Sequence, residues 1–75
     1  MPKLPRDVSG EQARQAFERA GWIFDRQTGS HMILYHPQRP PVTLSVPRHK
    51  SLKPGTLRRL IKDAGLPVEQ FIELL

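Results

Sequence analysis

The sequence contains no cysteine, no long apolar run and few aromatic side chains. Without cysteine among its 75 residues, the chain has neither a disulfide bond nor a thiolate zinc site to stabilise it. No window reaches the roughly 18 apolar residues that a membrane-spanning helix requires. No apolar run follows the basic residues near the N-terminus, as it would in a signal peptide. We therefore expect a cytoplasmic protein with no membrane partner.

The length of the chain allows one small domain. A chain of this size buries only about 60% of the surface that it exposes when unfolded, and 37% of its residues are apolar. The sequence shows no internal repeat, linker or low-complexity tract. We therefore expect residues 1–75 to form a single domain with a small core.

Acidic residues are missing from the middle of the chain. Residues 26–62, the acid-free segment, contain no aspartate or glutamate, whereas the whole chain has 12 basic and seven acidic residues and a formal net charge of +5. All three histidines lie in this segment, together with Arg26, Arg39, Arg48, Lys50, Lys53, Arg58, Arg59 and Lys62. Charge of one sign favours a polyanionic partner, either a nucleic acid or an acidic protein.

The first helix is predicted over residues 10–20. Ser9 and Gln12 have the spacing of a capping box, in which each side chain bonds the other residue's backbone. Apolar residues recur at helical spacing after them. Gly21 suits the position just beyond a helix, because it adopts the left-handed conformation without steric cost.

Three short strands are predicted next. The first covers residues 22–24 and fades over residues 25–27, with a hairpin turn at residues 28–29. The second covers residues 32–35, and the third covers residues 42–46, where apolar and polar residues alternate. Strands joined by short links predict an antiparallel meander.

Two more helices are predicted after the strands. Pro54 suits the first turn of a helix, apolar residues follow at helical spacing, and Gly65 suits its end. Pro67 suits the start of a short last helix. The order is α-β-β-β-α-α, so we expect an α+β fold in which helices cover one face of a three-stranded antiparallel sheet and leave the other face open.

His31 stands at the start of the second strand. Because side chains alternate along a strand, His31, Ile33 and Tyr35 share one face. If Met32 and Leu34 pack against the helices, His31 and Tyr35 lie on the open face. An imidazole there exchanges protons near neutral pH with an RNA 2′-hydroxyl or a leaving 5′-oxygen, and a tyrosine ring either stacks on a nucleotide or covers the sheet. From spacing alone, an ordinary surface histidine is the more common explanation.

The three histidines do not have the spacing of a metal site. His31 and His36 are an odd number of residues apart, so a regular strand puts them on opposite faces. His49 lies in a separate loop, and the acid-free segment offers no carboxylate to complete a ligand set. We expect no metal and no cofactor, so phosphoryl chemistry here would rely on imidazole and fixed cations.

A basic loop leads into the second predicted helix. The first amides of a helix and its dipole attract anions. Lys50, Lys53 and the amide of Thr56 are therefore positioned to hold an RNA phosphate, and Arg58 extends the charge along the helix. A solvated helix face is the alternative explanation, although such faces usually mix both signs of charge.

An ordered set of short motifs resembles the HicA toxins of HicA–HicB toxin–antitoxin systems. The motifs are Met1-Pro2-Lys3-Leu4-Pro5, Gly21-Trp22, Arg26-Gln27, Gly29-Ser30-His31, Val46-Pro47, His49, Leu52-Lys53-Pro54-Gly55-Thr56-Leu57 and Ala64-Gly65-Leu66. Each motif alone is common, but the ordered set is specific and covers almost the whole chain.

The resemblance implies a prokaryotic, metal-independent mRNA interferase, an endoribonuclease toxin that arrests growth. It also implies a fold similar to the double-stranded-RNA-binding domain, α-β-β-β-α, and assigns catalysis to His31. A HicB-like antitoxin covers the active site of such toxins, and their contact with DNA is indirect, through the antitoxin. The residues expected to bind RNA are Arg26, Ser30, Tyr35, Lys50, Lys53, Thr56 and Arg58.

Two other functions remain compatible with the residues themselves. One is a non-catalytic RNA-binding module with the same fold, for which a His31→Ala variant would keep full RNA binding. The other is a protein-interaction subunit whose basic surface meets an acidic partner. RNA binding at low salt, where phosphate contacts are strongest, distinguishes these functions. The ribonuclease and the RNA-binding module would bind RNA, whereas the protein-interaction subunit would not.

Overall fold

The computed structural model describes residues 4–75, which form three helices and three strands. The elements are α1 (Gly10–Arg19), β1 (Ile23–Thr28), β2 (His31–Tyr35), β3 (Thr43–Pro47), α2 (Pro54–Asp63) and α3 (Val68–Leu74). The predicted α+β order with a short extra C-terminal helix is thus confirmed. The first three residues of the Met1-Pro2-Lys3-Leu4-Pro5 motif lie outside the described residues.

The three strands form one antiparallel sheet in the order β1-β2-β3. The β1–β2 turn consists of Gly29 and Ser30, one residue later than predicted, because Thr28 pairs with His31. Gly29 has a φ of 58°. Ser30, the second central residue, does not have a positive φ. A positive φ at the first central residue alone is the signature of a type II′ turn, whose twist matches that of the flanking strands. The turn therefore delivers His31 directly to the first position of β2.

Strand β1 does not fade at residues 25–27 as predicted but continues to Thr28 through a β-bulge. Phe24 pairs with Leu34 and Arg26 pairs with the next residue, Ile33, so Asp25 is the extra residue. A bulge shifts the alternation of side chains by one position. Arg26 consequently shares a face with Ile33, instead of with Phe24.

One face of the sheet carries the core. Met32, Leu34, Leu44 and Val46 are fully buried beneath the helices, as the alternation predicts. In the helical layer, Phe17 of α1 packs against Phe71 of α3 with ring centroids 5.1 Å apart. The core therefore includes the short last helix, which is too short to be stable alone.

Capping fixes where α1 begins. The Ser9 side chain accepts a hydrogen bond from the Gln12 amide at 3.0 Å, and the Gln12 side chain accepts one from the Ser9 amide at 2.9 Å. The predicted capping box is confirmed, and α1 ends at Arg19, one residue before the predicted end. Within the described part of the chain, none of the helices has the length and apolar character needed to cross a membrane.

Candidate functional site

The sheet face opposite the helices, the open face, presents nine side chains in three rows. Residues directly opposite each other in antiparallel strands share a face, so the pairing defines the rows. From β1 across β2 to β3, the first row is Thr28, His31 and Pro47, the second is Arg26, Ile33 and Ser45, and the third is Ile23, Tyr35 and Thr43. None of the nine is buried and none carries a carboxylate, so the face is accessible. The carboxylate of Asp25 adjoins it, because Asp25 is paired with Arg26.

Backbone contacts on both sides hold His31 in place. On the turn side, the Gln27 side chain donates a hydrogen bond to the Gly29 carbonyl at 3.1 Å. On the other side, the Arg48 amide donates to the Ser30 carbonyl at 2.7 Å and so extends the β2–β3 pairing beyond His31. The imidazole itself is exposed and makes no hydrogen bond among the described side chains. Both ring nitrogens are therefore open to a substrate.

The loop of residues 48–53 is tied to the segment that precedes α1. The Gly10 amide donates a hydrogen bond to the His49 carbonyl at 2.9 Å, and the Leu52 amide donates to the Val8 carbonyl at 2.8 Å. The order of this loop could not be predicted from the sequence, because its hydrogen bonds join residues about 40 positions apart. The loop consequently presents its side chains from a fixed backbone.

The same loop brings cations to the His31 end of the open face. It begins directly after Pro47, which pairs with His31. Three backbone steps separate Pro47 from Lys50, so their Cα atoms lie at most about 11 Å apart. Arg48 is partly neutralised by Glu11 of α1, at 3.3 Å. None of the ion pairs among the described residues involves Lys50 or Lys53, so their charges are available to a ligand.

The loop ends at the N-terminus of α2. Lys53 is the N-cap residue, no side chain caps the helix, and its first turn has no acidic residue. The first hydrogen bond along the helix runs from the Leu57 amide to the Lys53 carbonyl, so the amides of Gly55 and Thr56 precede it. Such free amides, together with the helix dipole, attract an anion.

The structure divides the predicted site residues into two groups. Arg26 and Tyr35 share the open face with His31, and Arg26 is paired with the neighbouring Asp25. Ser30 lies in the turn, where its carbonyl is used by the backbone. The other group lies in the loop and α2 and consists of Lys50, Lys53, Thr56 and Arg58. The first group lies on the face or in the turn to which His31 belongs, and the second begins where the strand paired with His31 ends.

Sequence reasoning missed the outer positions of the open face. Ile23 in β1 and the hydroxyl-bearing Thr43 and Ser45 in β3 lie on it. Alternation along β3 was the signal that could have found Thr43 and Ser45, because Leu44 and Val46 were expected to face the helices. No such signal existed for Ile23, because residues 22–24 are all apolar and show no alternation.

His36 lies in a different environment from His31. Its ring packs edge-on against Trp22 with centroids 5.4 Å apart, and its Nδ1 accepts a hydrogen bond from the Gln38 amide at 3.1 Å. It therefore acts as a packing residue. Among residues 4–75, no three histidine, aspartate or glutamate side chains cluster as metal ligands would.

Comparison with known proteins assigns the chain to a family. The family model described as "HicA toxin of bacterial toxin-antitoxin" matches residues 10–66, a range that runs from the first residue of α1 to just beyond α2 and includes the whole sheet. The comparison with curated proteins gives no match. Because the family match covers well over half of the chain, the chain belongs to the HicA toxin family, and its role is that of a toxin with a cognate antitoxin as its partner.

Proposed function

We propose that this toxin is a metal-independent endoribonuclease that cleaves mRNA and thereby arrests growth in a prokaryotic cytoplasm. The observation that carries the proposal is the position of His31. Its imidazole is exposed at the head of β2, on a face whose own nine residues include no acid, and beside a loop whose two lysines form no ion pair within residues 4–75. A proton-transfer group next to cations is what cleavage of a phosphodiester requires.

The chemistry uses the nucleophile that RNA itself carries. The 2′-hydroxyl loses its proton and its oxygen forms a bond to the adjacent phosphorus. The bond from phosphorus to the 5′-oxygen breaks, and that oxygen gains a proton, which leaves a 2′,3′-cyclic phosphate. His31 moves a proton in this step, as the base for the hydroxyl or the acid for the leaving oxygen. A single imidazole contributes about 10²–10⁴-fold by proton transfer, which makes this a slow enzyme.

The surrounding residues bind the substrate. Lys50, Lys53 and the amide of Thr56 hold phosphates at the N-terminus of α2, and Arg58 extends this contact along the helix. On the open face, Arg26 and Tyr35 contact the RNA strand whose phosphate lies at His31, and Ser30 contacts the same RNA strand from the turn. No cofactor takes part.

The cognate antitoxin is a HicB-like protein that covers the open face and the basic loop. Charge supports this assignment, since Lys50 and Lys53 form no ion pair within residues 4–75, and such cations suit an acidic partner as well as RNA. Any contact of the toxin with DNA is indirect and depends on the antitoxin.

The test compares His31→Ala with His49→Ala. The His49 side chain is exposed and makes no hydrogen bond within the described part of the chain, where the backbone carbonyl of His49 accepts one from Gly10, so its removal is a matched control. Purified variants with native circular dichroism spectra are incubated with RNA in the presence of EDTA. We expect wild type and His49→Ala to form cyclic phosphate ends and His31→Ala to lose about 10²–10⁴-fold in rate. Equal cleavage and equal growth arrest by His31→Ala would overturn the catalytic role and favour a non-catalytic RNA-binding module.

A further inference from the structure

The third row of the open face contains an exposed apolar pair. Ile23 and Tyr35 are 41% and 40% exposed and, with Leu75, are the large hydrophobic residues that the described chain leaves most exposed. They lie directly opposite each other in the sheet, which puts their Cβ atoms about 4.5–5.5 Å apart. Two such side chains side by side form a flat apolar shelf, flanked on the β3 side by Thr43.

The shelf lies on the same strand and the same face as His31. Tyr35 lies four positions after His31, which corresponds to about 13 Å along β2. Between them lies the second row, where Ile33 has the guanidinium-bearing Arg26 on one side and the hydroxyl of Ser45 on the other. A strand of RNA that runs along β2 from His31 to Tyr35 therefore passes Arg26, whose guanidinium is paired with Asp25, before it reaches the shelf.

We infer that the open face takes single-stranded RNA in an extended conformation, with one base stacked on the Ile23–Tyr35 shelf while His31 acts on a phosphate at the other end of β2. This inference rests on the proposed ribonuclease function and defines the form of its substrate. An aromatic ring on a sheet can stack only on a base that has left its own stack. A duplex keeps its bases stacked inside, so it offers this shelf no partner.

The charge of the open face and the loop complements an RNA strand, which is the occupant that the proposed reaction requires. None of the nine residues of the open face is acidic, although Arg26 is paired with the neighbouring Asp25. The face continues into a loop whose two lysines have no acidic partner among the described residues. Stacking on an aromatic ring is tolerant of sequence because every base has a π-face. The shelf thus fixes the register of the strand relative to His31, and any base preference at that position is weak.

The experiment separates binding from cleavage by using His31→Ala as a catalytically inactive background. Fluorescence anisotropy measures its affinity for a labelled RNA oligonucleotide, for the same oligonucleotide annealed to its complement, and for a series in which each nucleotide around the cut is made abasic in turn. We expect tight binding of the single strand and weaker binding of the duplex. The affinity should fall markedly when the abasic site lies at one particular position, displaced from the cut.

Adding Tyr35→Ala should weaken single-strand binding by roughly 5- to 150-fold and abolish the penalty at that abasic position, while Tyr35→Phe keeps both. Leu75→Ala removes an apolar side chain of similar exposure from the helical layer, so it should bind like the parent. Equal affinity for duplex and single strand, or an unchanged abasic profile in Tyr35→Ala, would overturn the inference.

The two proposals fail in different ways. If wild type cleaves RNA but Tyr35→Ala binds and cleaves it equally well, the ribonuclease assignment stands and the proposed stacking of a base on the shelf is wrong. If Tyr35→Ala impairs only binding of the cognate antitoxin, the shelf is a protein-docking surface and the inference is wrong. If wild type cleaves no RNA of either form, both proposals fall.

Discussion

Gly10 at the start of α1 contacts the backbone at the end of β3. A Cβ built on Gly10 would lie 2.0 Å from the carbonyl oxygen of Pro47, far inside van der Waals contact. Pro47 in turn pairs with His31. The first helix therefore packs directly against the strand end that supports the candidate catalytic residue.

We expect Gly10→Ala to destabilise the protein. The added methyl group meets backbone atoms, which cannot rotate away as a side chain would, so α1 and β3 must separate. Overpacking of this kind costs about 1–3 kcal/mol. Urea denaturation measures the loss, and Gly55→Ala is the control, because nothing lies within 4 Å of its added Cβ. A Gly10→Ala variant as stable as wild type would contradict the close approach of these two elements.

The last helix belongs to the core even though the family match ends at residue 66. Phe71 is fully buried and contacts Phe17, so Phe71→Ala leaves a cavity. We expect a loss of about 3–5 kcal/mol in the free energy of unfolding, a large part of the stability of so small a domain. Glu73→Ala, an exposed change on the same helix, should stay within about 0.5 kcal/mol of wild type. Equal melting temperatures for the two variants would mean that α3 does not contribute to the core.

Local patterns predicted those parts of the fold that depend on neighbours in sequence. The capping box of Ser9 and Gln12 involves residues three positions apart, and the burial of Met32 and Leu34 follows from alternation within one strand. The same alternation put His31 and Tyr35 on the open face. These features need no knowledge of the rest of the chain.

Features that depend on distant partners were not predictable. At the bulge, Phe24 packs against the core while Arg26 pairs with Ile33, so Asp25 is left without a partner. Only the register between β1 and β2 reveals the bulge. Likewise, the Arg39 guanidinium donates to the Ala64 carbonyl, at 3.4 Å, across 25 residues. In the sequence, Arg39 has no evident partner and is grouped with the other cations of the acid-free segment. In the fold, its side chain caps the end of α2.

The salt dependence of RNA binding tests the role of Lys53. If Lys53 holds a phosphate, Lys53→Gln should weaken binding and reduce the slope of log Kobs against log salt concentration by about 0.7, the value for one contact to a single strand. Lys62→Gln is the matched control, because it removes the same charge from the last turn of the same helix. An equal change of slope for both variants would indicate a diffuse attraction to the whole helix face.

Single-residue deletions in β1 test the bulge. Asp25 is the residue without a partner in β2, so its deletion should regularise the strand and keep Arg26 opposite Ile33. Gln27 is paired with Met32, and its deletion should instead move Arg26 opposite Met32 and bring Asp25 opposite Ile33. The two variants have the same length and present opposite charges on the open face.

We expect the Asp25 deletion to keep the RNA affinity of wild type or to raise it, because Arg26 also loses its acidic partner. The Gln27 deletion should bind RNA more weakly, since a carboxylate replaces a guanidinium on the surface that meets the phosphates. Its stability should change little, because Arg26 then takes the position of Gln27, which is exposed. Cross-strand nuclear Overhauser effects between Arg26 and Ile33 report the register directly. Loss of that contact in the Asp25 deletion, with RNA binding reduced equally in both variants, would contradict both the bulge and the assignment of Arg26 to the open face.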